Sequence, residues 1–368
     1  MSVAIYTGVA ALLVVNMLPA LVNLIAIGLK WDDRDLGLLA SADVAGITMG
    51  SLLGVLIVRR FALRTVVIVG VLALIAADIG CAISDARWLI VSYRFVGGTA
   101  SGLILAACYA IYSESNPQRN FATFSIAQML SGFIGVTVLP ILALKFGWRS
   151  SFVALACVTG LAVPLGFFLP AHSYAKTLAP AQADTNRHTG LALWISLAGI
   201  IIYVIGEGAV WTFMERIGAA SGVSERDVNT AVSACTLVGV FGAVVTMFPS
   251  KRLGVVLPLT VSALMSVAAV GYIRSPSPGI FIASLCAFNF AWLAFSTLQF
   301  GVIAKADSVG TATVAMSTAW YAGFTIGPYL AGDLVVKFGF VSVQYLGIGG
   351  VLIALVSLLP LSIVRPSR

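Results

Sequence analysis

The chain of 368 residues is 60% apolar and only 10% charged, with a mean hydropathy of +1.04, whereas soluble domains carry about a quarter charged residues. A water-facing surface of this size needs far more ionic groups than 21 Lys+Arg and 14 Asp+Glu, so a soluble fold is excluded and a polytopic membrane protein is implied. The formal charge of +7 does not indicate nucleic acid, because the basic residues sit in short loops suited to lipid headgroups and form no cluster interleaved with aromatics.

Charged and turn residues divide the chain into twelve apolar segments, at 3–28, 36–58, 65–84, 88–112, 121–144, 150–170, 191–214, 228–248, 254–273, 278–303, 310–335 and 340–364. Each has about 20 residues or more, the length of helix that spans ~30 Å of hydrocarbon. The first has no Lys or Arg before it and is too long for a signal sequence, so it reads as a retained span. Alternating ten-residue patterns are absent, which argues against a barrel. The predicted fold class is therefore an all-α membrane protein with twelve transmembrane helices. A six-helix bundle at 1–170 is followed by a polar cytoplasmic linker at 171–190, which holds both histidines, and by a second six-helix bundle at 191–368.

The halves repeat at an offset of 192 residues. Arg59-Arg60 maps onto Lys251-Arg252, Gly135 onto Gly327, and Lys145-Phe146-Gly147 onto Lys337-Phe338-Gly339. Parallel six-helix repeats are one architecture of secondary transporters. With the N-terminus in the cytoplasm, eleven Lys/Arg fall on that side and nine outside; the duplicated basic loops favour this orientation more than the totals do.

At its loops the chain resembles the major facilitator superfamily, including its bacterial drug and sugar efflux branches. That family carries Gly-x-x-x-Asp-Arg-x-Gly-Arg/Lys-Arg/Lys between spans two and three. Here Gly54 and Arg59 match, with Val58 at the acid and Phe61 at the second glycine; sliding by one residue aligns Arg60 and Arg64 instead. In either register the acid is missing, and with it the usual cytoplasmic charge lock. The run Tyr93-Arg94-Phe95-Val96-Gly97-Gly98-Thr99-Ala100-Ser101-Gly102 is similar to the family's Arg-x-x-x-Gly-x-x-x-Gly signature in span four, where the arginine often serves proton coupling. Phe146-Gly147-Trp148-Arg149-Ser150-Ser151-Phe152 resembles its hairpin between spans five and six, and Gly323-Phe324-Thr325-Ile326-Gly327-Pro328 its span eleven. Antiporters of the family often have Gly-Pro in span five, where this chain has Gly135-Val136.

Ionisable groups inside a span cost at least ~2.5–3.5 kcal/mol each, which singles out Asp43, Asp78, Arg94 and Glu207. Counted from the span ends, all four lie roughly 10 Å inside the outer boundary. One reading is proton coupling, with Arg94 paired to Asp43 or Asp78 in one state while a carboxyl group takes up and releases a proton. The other is a static ion pair that fixes helix packing. Glu207, between Gly206 and Gly208, either binds a cationic group or the coupled proton, or makes an interhelical hydrogen bond as the neutral acid.

Asn16, Asn23, Gln128, Asn289 and Gln299 offer hydrogen bonds to a substrate or to a neighbouring helix; the resemblance ranks Asn16 and Asn289 first, since spans one and ten face the family's cavity. Tyr203, Trp211, Trp292, Trp320 and Tyr321 offer an aromatic wall for a ring-bearing substrate. The chain contains no phosphate loop, HExxH or nucleophile elbow, so neither ATP use nor a hydrolytic or metal site is expected, and no cofactor. Asp33-Arg34-Asp35 reads as a solvated loop rather than a metal motif. The expectation is a monomeric, proton-coupled exporter of small, partly apolar organic compounds in a bacterial inner membrane, contacting lipids, protons and substrate. The alternative is a proton symporter importing an organic acid or sugar, with Arg94 binding the anion; a membrane enzyme or receptor is the remote third reading.

Overall fold

The computed structural model describes residues 1–114, 117–172, 187–246, 254–306 and 311–363. Among these every regular element is a helix. Span one comprises α1 (Ser2–Ala11), α2 (Leu13–Asn16) and α3 (Leu18–Leu29). Spans two to five are α4 (Asp33–Arg60), α5 (Leu63–Ile83), α6 (Arg87–Glu114) and α7 (Pro117–Phe146), and span six is α8 (Arg149–Gly160) with α9 (Ala162–Gly166). Spans seven to twelve are α10 (Arg187–Ala220), α11 (Glu225–Thr246), α12 (Val256–Tyr272), α13 (Pro278–Ala306), α14 (Thr311–Phe338) and α15 (Val341–Ile363). The protein is an all-α membrane protein of twelve spans in two six-helix bundles.

Each interruption has a local cause. Pro19 has no N–H for the carbonyl of Val15, and span one breaks at Met17; Pro164 likewise cannot bond the carbonyl of Gly160, where α8 ends. A further break at Leu12 adopts φ −104 and ψ 7.

The helix of span two, α4, is longer than its apolar core predicts, because charged residues close both of its ends. Asp32 accepts the backbone N–H of Asp35 at 2.8 Å, Asp33 and Asp35 occupy the first turn, and Arg59 and Arg60 the last, each sign suited to the helix dipole. The Asp33-Arg34-Asp35 stretch is thus the opening turn of α4 rather than loop, and Asp35 accepts from Arg87 at 2.7 Å.

Chain contacts divide the protein into two compact units, 1–177 and 178–368. Of the linker expected at 171–190, residues 173–186 lie outside the described ones, and 187–190 already belong to α10.

Within each unit the spans pair in one pattern. In unit one α6 packs on α4 and α5, α5 on α8 and α9, and the span-one helices on α7; in unit two α13 packs on α11 and α12, α12 on α15, and α10 on α14. The interior-facing stripe of α5 contains Val67, Val71, Leu74, Asp78 and Cys81, whereas Val69, Leu72, Ile79 and Ile83 are exposed. Both faces are apolar apart from Asp78, as expected of a helix that has lipid on one side and protein on the other.

The 192-residue repeat extends to individual turns. Gly147 and Gly339 have φ +80 and +71, and each receives the same partners: its N–H bonds Ala143 or Val335, and its carbonyl accepts from the N–H of Ser150 or Ser342. Asp32 and Ser224 cap α4 and α11 through the N–H groups of Asp35 and Asp227. At the end of span one, however, Lys30 holds φ +55 where Gly222 holds +81. A lysine in left-handed backbone is strained by roughly 1–2 kcal/mol, partly offset by the greater freedom of glycine in the unfolded chain. Lys30→Gly is therefore expected to raise stability by up to about 1 kcal/mol, measured as a higher Tm in detergent.

Candidate functional site

The three intramembrane ionisable candidates of unit one meet where α5 faces the seam between α4 and α6. A Cβ on Gly98 would run into the carbonyl of Asp43, one on Gly102 into Ile47 and Ser51, and ones on Gly46 and Gly50 into the backbone of Phe95 and Thr99. These glycines allow two backbones to touch, and Gly54 extends the seam to Ala106. Arg94 stands one helical turn before Gly98, so the same approach brings Asp43 within reach of it.

The guanidinium bonds both acids there. Its Nε and Nη2 donate to Asp43 Oδ1 at 3.1 and 2.5 Å, and Nη1 donates to Asp78 Oδ1 at 2.6 Å. All three side chains are at most 3% exposed. Arg94 engages both acids at once, binding α4, α5 and α6 together, where the sequence left a choice between them. One cation faces two carboxyl groups, so the cluster is neutral only when it carries one proton, and charge left uncompensated at such a depth is costly. Gly98→Ala, which adds a single methyl group at the seam, is expected to cost about 1–3 kcal/mol through overpacking, checked by thermal melting.

The remaining candidates of unit one lie elsewhere in it. Asn16, at the break of span one, donates to the carbonyl of Gln128 and to Ser131 Oγ at 3.4 Å and accepts from Gln128 Nε2 at 3.0 Å; this polar bridge joins α2 to α7. Asn23, in α3, is half-buried. Gly135 in α7 receives the side chain of Met17. Arg59 and Arg60 are exposed at the end of α4, Arg64 opens α5, and none of the three forms an ion pair among the described residues, in keeping with the missing acid.

Unit two carries one acid of the set. Glu207 of α10 is wholly buried; the hydroxyl of Ser266 on α12 donates to its Oε1 at 3.1 Å, while Oε2 has no hydrogen-bond partner among the described residues. Its flanking glycines admit other helices: Gly206 takes the backbone of Leu346 and Gly347, Gly208 the ring of Phe324. Gly327 similarly takes the carbonyl of Ile205, and Pro328, within α14, leaves the carbonyl of Phe324 without its helical donor.

Beside Glu207 the aromatic candidates form one group. Tyr203 donates to the carbonyl of Trp292 at 3.2 Å and lies 4.9 Å from Phe295. Trp292 is 5.7 Å from Trp211 and stacks against Trp320 at 6.1 Å with 10° between the planes. Tyr321, next along α14, is half-buried. Asn289 donates to the carbonyl of Cys235 at 2.8 Å and so ties α13 to α11.

Two further polar residues stand out in unit two. Glu215 is buried, although it falls just beyond the apolar segment that ends at 214; its spacing of two turns from Glu207 on one helix was the available signal. Both amide atoms of Gln299, a wholly buried residue, lack hydrogen-bond partners among the described residues, as does Trp292 Nε1. No group of three or more His, Cys, Asp or Glu able to hold a metal occurs among the described residues.

Residues 3–328 match the family model of the Major Facilitator Superfamily. No curated protein matches the chain by sequence. Among solved structures, nucleoside transporter NupG superposes with a TM-score of 0.77 at 13% identity, covering 99% of this chain and 98% of its own; a point variant of NupG gives the same score at 15% identity, covering 98% of both. At such identities the likeness carries the fold and not the cargo.

Proposed function

Since the chain belongs to the Major Facilitator Superfamily and is a multi-pass secondary transporter rather than an enzyme, we propose that it works as a monomer in a bacterial inner membrane, termini cytoplasmic, exporting small, partly apolar organic compounds in exchange for protons. The observation that carries this reading is the buried cluster of Arg94 with Asp43 and Asp78. A group that is neutral with one proton and anionic without it changes the electrostatic cost of its surroundings when the proton leaves, which is what coupling to a conformational change requires. Glu207 is the second proton-binding candidate, since a buried carboxyl group facing only a hydroxyl is neutral while it retains its proton. Tyr203, Trp211, Trp292 and Tyr321, with Asn16, Gln128 and Asn289, are the proposed substrate contacts. Gly54, Gly98, Gly102, Gly327 and Pro328 shape the helices, and Arg59, Arg60 and Arg64 make the facing ends of α4 and α5 basic.

A second reading is proton symport that imports an organic acid or sugar. It is favoured by Gly135-Val136 in place of the antiporters' Gly-Pro pair. Reconstituted vesicles loaded with a pH-sensitive dye separate the two. A transported compound added on one side drives protons towards that side in antiport and along with it in symport; transport with no accompanying proton movement overturns the coupling.

A further inference from the structure

We propose that the aromatic group of unit two selects flat, uncharged heterocycles with a lactam edge, an N–H beside a C=O, and that Gln299 is the residue that reads this edge. The inference names the substrate class for the transport reading above and rests on it.

Trp292, Phe295, Ser296 and Gln299 lie at i, i+3, i+4 and i+7 on α13, and therefore on one face of that helix. Phe295 meets Tyr203, and Trp292 and Trp320 stack on each other, so this face is built of flat rings whose chemistry suits another planar molecule. Two turns from Trp292 on the same face, Gln299 offers an amide N–H and an amide C=O, and Trp292 itself offers an indole N–H. All three are buried without a partner among the described residues. A buried polar group left unpaired costs about 1–3 kcal/mol, and interiors rarely tolerate three on one stripe.

A primary amide is matched by a group that offers an acceptor and a donor side by side, which is a lactam. Residues 288–300 of α13 include no charged side chain, and Glu207 beside the aromatic group is on α10 and bonds Ser266, so the α13 stripe itself answers a neutral ligand. Sites built to hydrogen-bond a substrate discriminate strongly against analogues that lack the group, because the protein atoms are then stranded.

The test is titration calorimetry on the full chain in detergent with 2-quinolone and 1-methyl-2-quinolone, which share a ring system but differ in the lactam N–H. The wild type is expected to bind 2-quinolone at least ten-fold more tightly. Gln299→Leu is expected to abolish that preference while keeping or raising the Tm, since it removes an unsatisfied amide; Gln299→Met serves if the leucine variant does not fold. Equal affinity for the two probes, no saturable binding of either, or a preference that survives in the Gln299 variant overturns the proposal. Proton-coupled flux in vesicles is read separately, so loss of coupling with the preference intact counts against the transport mechanism and not against this assignment.

Discussion

Replacing Arg94 with alanine is expected to abolish transport and to destabilise the protein by about 3–5 kcal/mol, the range seen when one partner of a buried ion pair is removed. The defect arises because two carboxyl groups, Asp43 and Asp78, lose the single cation that both bond. Adding Asp43→Asn and Asp78→Asn to Arg94→Ala should recover much of the folding, since no charge then remains stranded, but not pH-driven flux. The measurement is the monodisperse fraction and Tm in detergent, followed by flux in vesicles. A triple variant as unstable as Arg94→Ala would rule out the charge explanation. Arg94→Lys is expected to fold poorly too, because one ammonium cannot reproduce a planar fork that reaches two acids on two helices.

Glu207→Gln should have the opposite profile. The amide oxygen can still accept from Ser266, so stability is expected to change by no more than about 1 kcal/mol, the net worth of a typical hydrogen bond. Transport driven by a pH gradient is expected to fall at least 100-fold, because the side chain no longer exchanges a proton, while substrate exchange without a gradient persists. Normal gradient-driven flux in this variant would exclude Glu207 from coupling and leave it as an interhelical hydrogen bond.

Hydropathy made the twelve spans legible, because ~20 apolar residues have few other uses in a chain so poor in charge. Helix ends were less so: Asp33 and Asp35 look like loop in a hydropathy plot, yet acids at a helix start are stabilising. The break at Met17 has a visible sign in Pro19, whereas that at Leu12 has none. In the candidate site, the cost of burying charge picked out Arg94, Asp43, Asp78 and Glu207, but partners were harder to read. Ser266 is one of many serines in apolar sequence, and only tertiary contact distinguishes it. The simultaneous bonding of Arg94 to two acids depends on how closely α4 and α6 approach, which is set by glycines whose function lies in what they lack. Glu215 escapes a hydropathy reading because it stands directly after the apolar segment that ends at 214.

The duplicated turns make it possible to compare the two halves position by position, and what they carry differs. Asp43 corresponds to Cys235, while Tyr203, Glu207 and Trp211 correspond to Ala11, Val15 and Pro19. Duplication has kept the frame and let the side chains diverge: the two acids bridged by Arg94 stand in the first copy, the aromatic group with Glu207 in the second. Inheritance of this kind frees each copy to drift on its own, so a substitution in one half need not be answered at the equivalent position of the other.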